Sequence, residues 1–284
     1  MHNVIDATQL IEQIREEVAN NHIQLPTLPE VALEVRDAVE KDQADASKIA
    51  KIVTQDAALS ARLIQVANSP LYRGRASIDN VQLAITRMGL KLVRSLVVSL
   101  AMKQMFQAAS NELNVAFRRI WTESVEVAAM ARVLARQVEG LEPEQAMLAG
   151  LIHNIGTLPI LTKLDELLGL EAKSQIVDQI CRDLSPELGR HILTEWHFSE
   201  SLSQIPVECT ELARNSGQID YSDVVLVARL QYLVASGQQD ETTAISRWNE
   251  YPAFTKIGIG TESTIMDMEG PAEEVAEVRD MLCA

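Results

Sequence analysis

Apolar residues recur at three- and four-residue spacing along most of the chain, and short polar, proline- or glycine-containing breaks separate one run from the next. That period marks helices with one buried face, whereas a half-buried strand alternates every second residue. Glycine accounts for only 12 of 284 residues, aromatic residues for 4%, and alternating β-branched runs are few. The chain is therefore read as all-α, a multi-helix bundle of more than ten helices with enough length for a large core.

The runs can be followed in order. Val4 to Val18 places Ile5, Leu10, Ile11, Ile14 and Val18 on one face, and Leu25-Pro26-Thr27-Leu28-Pro29 interrupts it because proline disfavours helix at the residue before it. A helix resumes after Pro29 with Val31, Leu33, Val35 and Val39. Asp45 and Ser47 stand ahead of Ile49, Ile52 and Val53, and Asp56 to Asn68 turns Leu59, Leu63 and Val66 inward. Ser77 or Asp79 caps a helix carrying Val81, Ala84, Ile85 and Met88, which Gly89 ends. Leu90 to Phe106 is apolar nearly all round, which places it at the centre of the fold. Asn111 to Val138 and Pro143 to Ile155 follow. Ser185-Pro186-Glu187 reads as the opening of a helix that runs to Trp196. Ser222 to Val234 and Ala272 to Cys283 are further helices, while Pro252 to Gly270 shows no clear period.

Charge narrows the function classes. Asp and Glu number 40 against 25 Lys and Arg, a formal charge of −15 that repels phosphate backbones and anionic lipid. General nucleic-acid binding and membrane association are not expected. Leu90 to Met105, broken by Lys91, Arg94 and Lys103, is too short to span a bilayer, and Met1 to Leu10 lacks the pattern of a signal peptide. Cys181, Cys209 and Cys283 form no CxxC pair, which fits a reducing cytoplasm and gives no zinc knuckle. No GxSxG elbow, GxxxxGK[ST] loop or HExxH helix is present.

One polar pair stands out. In Gly150-Leu151-Ile152-His153-Asn154-Ile155-Gly156 a histidine and an asparagine interrupt an apolar helix, and burying both costs free energy unless each finds a partner. They either clamp neighbouring helices by hydrogen bonds or form part of a metal site. His2 and His22 have nothing nearby that completes a site, His191 and His197 flank Trp196 as surface or boundary residues, and Cys209 reads as a core or boundary thiol.

These residues resemble a known family. The pair falls where the HD superfamily of metal-dependent phosphohydrolases carries its His-Asp dyad. The whole pattern resembles the HDOD family, HD-related regulatory domains of bacterial signalling proteins. The resemblance rests on Leu25-Pro26-Thr27-Leu28-Pro29, Asp56-Ala57-Ala58-Leu59, Val66-Ala67-Asn68-Ser69, Ser77-Ile78, Met88-Gly89, Trp121-Thr122-Glu123-Ser124, the His153 segment, and Glu187-Leu188-Gly189 ahead of Trp196. It implies an HD-domain/PDEase-like bundle: an N-terminal helix over 1–20, an HDOD domain over 21–217 divided near 107 into an N-terminal half and an HD-like half, and a C-terminal helical extension over 218–284 on the same core.

The resemblance also places the metal positions. Glu123 stands where HD enzymes carry an upstream histidine, His153-Asn154 replaces the dyad, and Arg229 falls at the later aspartate. A guanidinium is always protonated and cannot ligate a metal. The expectation is a degenerate site with no metal, no cofactor and no catalytic residue, closed by a Glu123–Arg229 ion pair. The chain would then be a cytoplasmic signalling module acting through a regulatory protein partner, with a nucleotide or other small anion as a second ligand class. A metal-dependent phosphohydrolase or phosphodiesterase with an atypical site is the alternative. The cluster Arg73, Arg75, Arg87, Lys91 and Arg94 is either solvated charge or an anion- or partner-docking face.

Overall fold

Side-chain caps start many of the helices that the sequence punctuation marks out. In the computed structural model, which describes residues 12–17, 20, 22–40, 45–72, 74, 76–108, 110–168, 174–238, 245–259 and 264–283, residues 12–17 are helical (α1). Fourteen further α-helices follow among the described residues, without a strand. They are α2 (Glu30–Glu40), α3 (Ala46–Val53), α4 (Ala57–Ala67), α5 (Val81–Met88), α6 (Leu90–Met105), α7 (Asn111–Ala135), α8 (Pro143–Ile152), α9 (Thr157–Leu168), α10 (Ser174–Glu195), α11 (Glu200–Ser203), α12 (Ile205–Glu208), α13 (Tyr221–Ala235), α14 (Pro252–Ile257) and α15 (Pro271–Cys283). Ile14 of the first apolar run is buried, whereas Ile5, Leu10, Ile11 and Val18 lie outside the described residues.

Asp45 and Asp56 accept hydrogen bonds from Lys48 N and Leu59 N at the starts of α3 and α4. The cap of α5 is Asn80, not Ser77 or Asp79. Its Oδ1 takes the Leu83 amide at 2.9 Å, while Ser77 and Ile78 belong to a loop held by Asn68. Asn68 Nδ2 donates to Ile64 O (3.0 Å) and Ile78 O (2.7 Å), and Ile78 N donates back to Asn68 Oδ1 at 2.8 Å. One side chain thus ends α4 and closes the loop behind it. Gly89, at φ +80°, joins α5 to α6 in a conformation that disfavours a Cβ.

α6 is buried nearly all round, as its composition requires, and it packs against α2 and α8. The 25-residue α7 is the spine of the second half, with α8, α13 and α15 against it. Small residues set its distance from α8: a Cβ on Gly150 would stand 2.5 Å from Ala128 Cα. Gly156, in the turn after α8, does the same against α10, where a Cβ would meet Ser185 O at 2.1 Å and Gly189 N at 2.5 Å.

Three boundaries differ from those the sequence pattern gives. α7 ends at Ala135 rather than Val138, and α8 ends at Ile152. His153 to Gly156 form the turn into α9, a helix the apolar period does not single out. Ser185-Pro186-Glu187 opens nothing, because Pro186 lies inside α10. Ile180, Leu184, Leu188 and Ile192 run as one buried i, i+4 stripe through the proline, and that burial outweighs the one backbone hydrogen bond proline removes. Among the described residues, the stretch long and apolar enough to cross a membrane is Pro143–Leu167. It is 83% buried inside the protein and divided by the turn, as befits core helices.

The two halves of the chain, before and after residue 107, share one continuous core. Trp196 Nε1 donates to Pro26 O at 3.0 Å, and the Arg36 guanidinium lies 5.5 Å from the Phe198 ring centre. This explains why Leu25–Pro29 and Trp196 occur together in the pattern. Pro252 to Gly270, illegible by period, holds α14 and a short 3₁₀ turn at Ile265–Asp267.

Candidate functional site

Four elements converge on the candidate site. α7 supplies Glu123 and Ser124, the α8–α9 turn supplies His153 and Asn154, α13 supplies Arg229, and Cys209 follows α12. Gly150 makes the site possible, since only its missing Cβ lets the end of α8 approach α7 this closely.

His153 is 4% exposed, and its Nδ1 lies 2.7 Å from Gly150 O. A carbonyl only accepts, so Nδ1 carries a proton and Nε2 faces Glu123 Oε1 at 3.7 Å, beyond hydrogen-bond length. Burial pushes the Glu123 carboxyl up, but the His153 imidazole, Arg229 and Arg119 together outweigh it and hold the acid below its ordinary range. Glu123 is therefore a carboxylate at neutral pH. Ser124 Oγ donates to Ile120 O (3.0 Å) and lies 2.7 Å from Asn154 Oδ1. His153 Nε2 and Asn154 Nδ2 are buried without a hydrogen-bond partner.

Arg229 is partly buried on α13, and its charge reaches both Glu123 and Cys209. It forms no ion pair with Glu123 among the described residues. The carboxylate's nearest partner is His153 instead. Cys209 is 1% exposed, and burial pushes its thiol up to about 11, which makes it a core residue and a poor nucleophile. Ser124, Arg119 and Cys209 escape a reading of the sequence as a metal site. The adjacency of Ser124 to Glu123 is the only local signal for any of them.

The donors do not fit a hydrolytic metal. Glu123 and His153 are two donors, the Asn154 amide is neutral and engaged by Ser124, and the fourth position is a cation. Among the described residues no group of three or more His, Cys, Asp or Glu is placed to hold an ion.

The described members of the basic cluster are each engaged within the protein. Arg87 donates to Ala67 O (3.2 Å) and Ala76 O (2.8 Å), bracing the loop before α5. Lys91 pairs with Glu142 at 3.1 Å, and the buried Arg94 bonds Gln145 of α8. Arg73 and Arg75 lie outside the described residues.

A helical bundle with this turn at its centre is the fold of the HD-domain proteins. Residues 25–210 match the HDOD domain model, and the chain belongs to the HDOD domain family. A crystal structure of a protein from Shewanella amazonensis SB2B, described as a conjectured metal-dependent phosphohydrolase, is 26% identical, with TM-score 0.83 over 97% of this chain and 99% of that one. A conjectured signal transduction protein from Marinobacter aquaeolei VT8 is 16% identical, with TM-score 0.65 over 100% of this chain and 68% of that one. An uncharacterized protein of Treponema pallidum (strain Nichols) is 24% identical over 197 residues, 64% of this chain, and the match spans only 37% of that relative's length.

Proposed function

We propose that this protein is a regulatory module of bacterial signal transduction that works by binding a protein partner and has lost the metal chemistry of its HD relatives. The observation that carries this reading is the site itself: a carboxylate beside an imidazole, with a neutral amide at one former acidic position and a guanidinium at the other. Without a third anionic or imidazole ligand, no bound water is brought to the acidity that hydrolysis requires. The Marinobacter aquaeolei VT8 protein, conjectured to act in signal transduction, shares the fold. A cytoplasmic setting fits three free cysteines.

The alternative reading, a metal-dependent phosphohydrolase with an atypical site, is favoured by one observation. His153 Nε2 is unpartnered and lies 3.7 Å from a carboxylate, a spacing that two ligands of one ion commonly adopt. Elemental analysis of protein purified without chelator separates the two. We expect no stoichiometric Mn, Fe, Zn or Mg, and no phosphodiester hydrolysis after soaking in those ions. The double substitution Asn154→Asp with Arg229→Asp is expected to gain metal affinity by about tenfold or more, because it supplies two anionic ligands and removes the cation. Stoichiometric metal in the unaltered chain that disappears in His153→Ala would overturn the proposal.

A further inference from the structure

A second concavity lies between the end of α6 and the first turns of α7. It encloses about 440 Å³ and is lined by Lys103, Phe106, Gln107, Ala108, Asn114, Arg118 and Trp121. Asn114, Arg118 and Trp121 fall at i, i+4 and i+7, so one stripe of α7 forms a wall, and Lys103 with Gln107 forms the facing one. Asn114 fixes the intervening loop by accepting from Ala108 N at 2.9 Å and bonding Ala108 O.

The chemistry of this cavity departs from that of the whole chain. In a protein of formal charge −15, no Asp or Glu among the described residues lines it, while two cations do. Arg118 is exposed and makes no hydrogen bond or ion pair with the described residues. Lys103 spends one of its three protons on Cys283 O at 2.7 Å. The floor is aromatic, with the Phe106 and Trp121 ring centres 5.5 Å apart at 50°. Trp121 is 8% exposed, and its indole N–H, unlike that of Trp196, makes no hydrogen bond with the described residues and is not fully buried.

We infer that this cavity binds a small organic anion, a flat aromatic or heteroaromatic ring carrying a carboxylate or phosphate. The ring lies against Phe106 and Trp121, and Arg118 with Lys103 receives the acid. The volume falls within the range of small-molecule sites, roughly 300–1,000 Å³. None of Glu123, His153, Asn154 and Arg229 lines it, so the inference stands independently of the reading of that site.

Calorimetric titration and tryptophan fluorescence test it with three ring acids, namely phenyl phosphate, benzoate and adenosine monophosphate. Adenosine and inorganic phosphate serve as half-ligands. At least one ring acid is expected to saturate and to quench tryptophan emission, with each half-ligand weaker by about tenfold or more. Arg118→Glu, at an exposed position that leaves the fold intact by circular dichroism, is expected to weaken that ring acid by about tenfold or more as well. Failure of all three ring acids to saturate at millimolar concentration overturns the inference. Saturation that is unchanged in Arg118→Glu and in Lys103→Met overturns it equally.

Discussion

Glu123 is the residue on which the charges of the candidate site act. Its carboxyl is drawn below its ordinary 4.5 against the opposing cost of burial, by the His153 imidazole, Arg229 and Arg119. A carboxyl with a lowered folded pKa binds fewer protons folded than unfolded. It therefore stabilises the fold above the unfolded pKa, and that contribution disappears as pH falls through the folded value. Glu123→Gln is expected to be less stable than the native chain at neutral pH, and the gap should close as the pH drops below about 4.5. Urea titrations across that range measure it. A gap of constant size down to strong acid would mean that Glu123 matters for its shape alone. The sequence exposed His153 and Asn154 because polar residues in an apolar run have to be accounted for. It could not rank Glu123's partners: the ion pair expected with Arg229 does not form, and the imidazole is the nearer group. Whether an imidazole or a guanidinium meets a carboxylate is decided by the distance between helices, and Gly150 sets that distance by a contact a period cannot show.

At the scale of elements, helices with a single buried face were legible from the spacing of their apolar residues, and α4, α5, α6 and α13 fall within a residue or two of where that spacing puts them. Where local signals failed, packing had overruled them. Pro186 reads as a start and sits mid-helix, because the stripe from Ile180 to Ile192 is buried on both sides of it. The polar joints between elements were illegible, since each pairs residues remote in sequence or set in segments without a period. The main one seats α13. Asp223, fully buried, takes Arg214 at 3.1 Å and Lys256 at 2.6 Å, and it shares a capping box with Asp220 at the start of the helix. Ser222 Oγ, beside it, bonds Glu208 of α12 at 2.6 Å. Asp223→Ala would strand the largely buried Lys256, leave Arg214 with Glu208 and Asp220 alone, and remove half the capping box. A buried pair broken from one side costs about 3–5 kcal/mol, far more than the pair contributes when intact. Chemical denaturation is expected to show a loss of that size, and Lys256→Met in the same background should recover part of it by removing one stranded charge. A loss of less than about 1 kcal/mol would place this network with exposed ion pairs that contribute little.

Across the whole molecule, α15 fastens the two halves together. Its last carbonyls are taken by cations of the N-terminal half: Arg62 of α4 bonds Met281 O, and Lys103 of α6 donates to Cys283 O at 2.7 Å. Carbonyls at a helix C-terminus have no partner within the helix, and the dipole there favours positive charge, so both contacts suit that end. Its first turn faces the HD-like half. Glu274 receives Arg132 at 2.8 Å and Arg136 at 2.6 Å, and Arg132 also reaches Glu144 of α8 and Tyr72 Oη beyond α4. The buried Val275, Val278, Met281 and Leu282 belong to the same core as the rest of the chain. A helix anchored at one end in each half cannot detach without exposing both, so unfolding should be cooperative. Glu274→Ala leaves Arg132 buried with Glu144 as its remaining counter-ion, and it is expected to cost about 1–3 kcal/mol. The decisive feature is how that loss is distributed. Tryptophan fluorescence reports on Trp121, Trp196 and Trp248 in different parts of the fold, and far-ultraviolet circular dichroism on all the helices. If α15 ties the halves into one unit, both probes shift together to the same lower midpoint in Glu274→Ala. If the halves are separable, helix content falls in two steps, and the fluorescence of Trp196, hydrogen-bonded to Pro26, changes in only one of them.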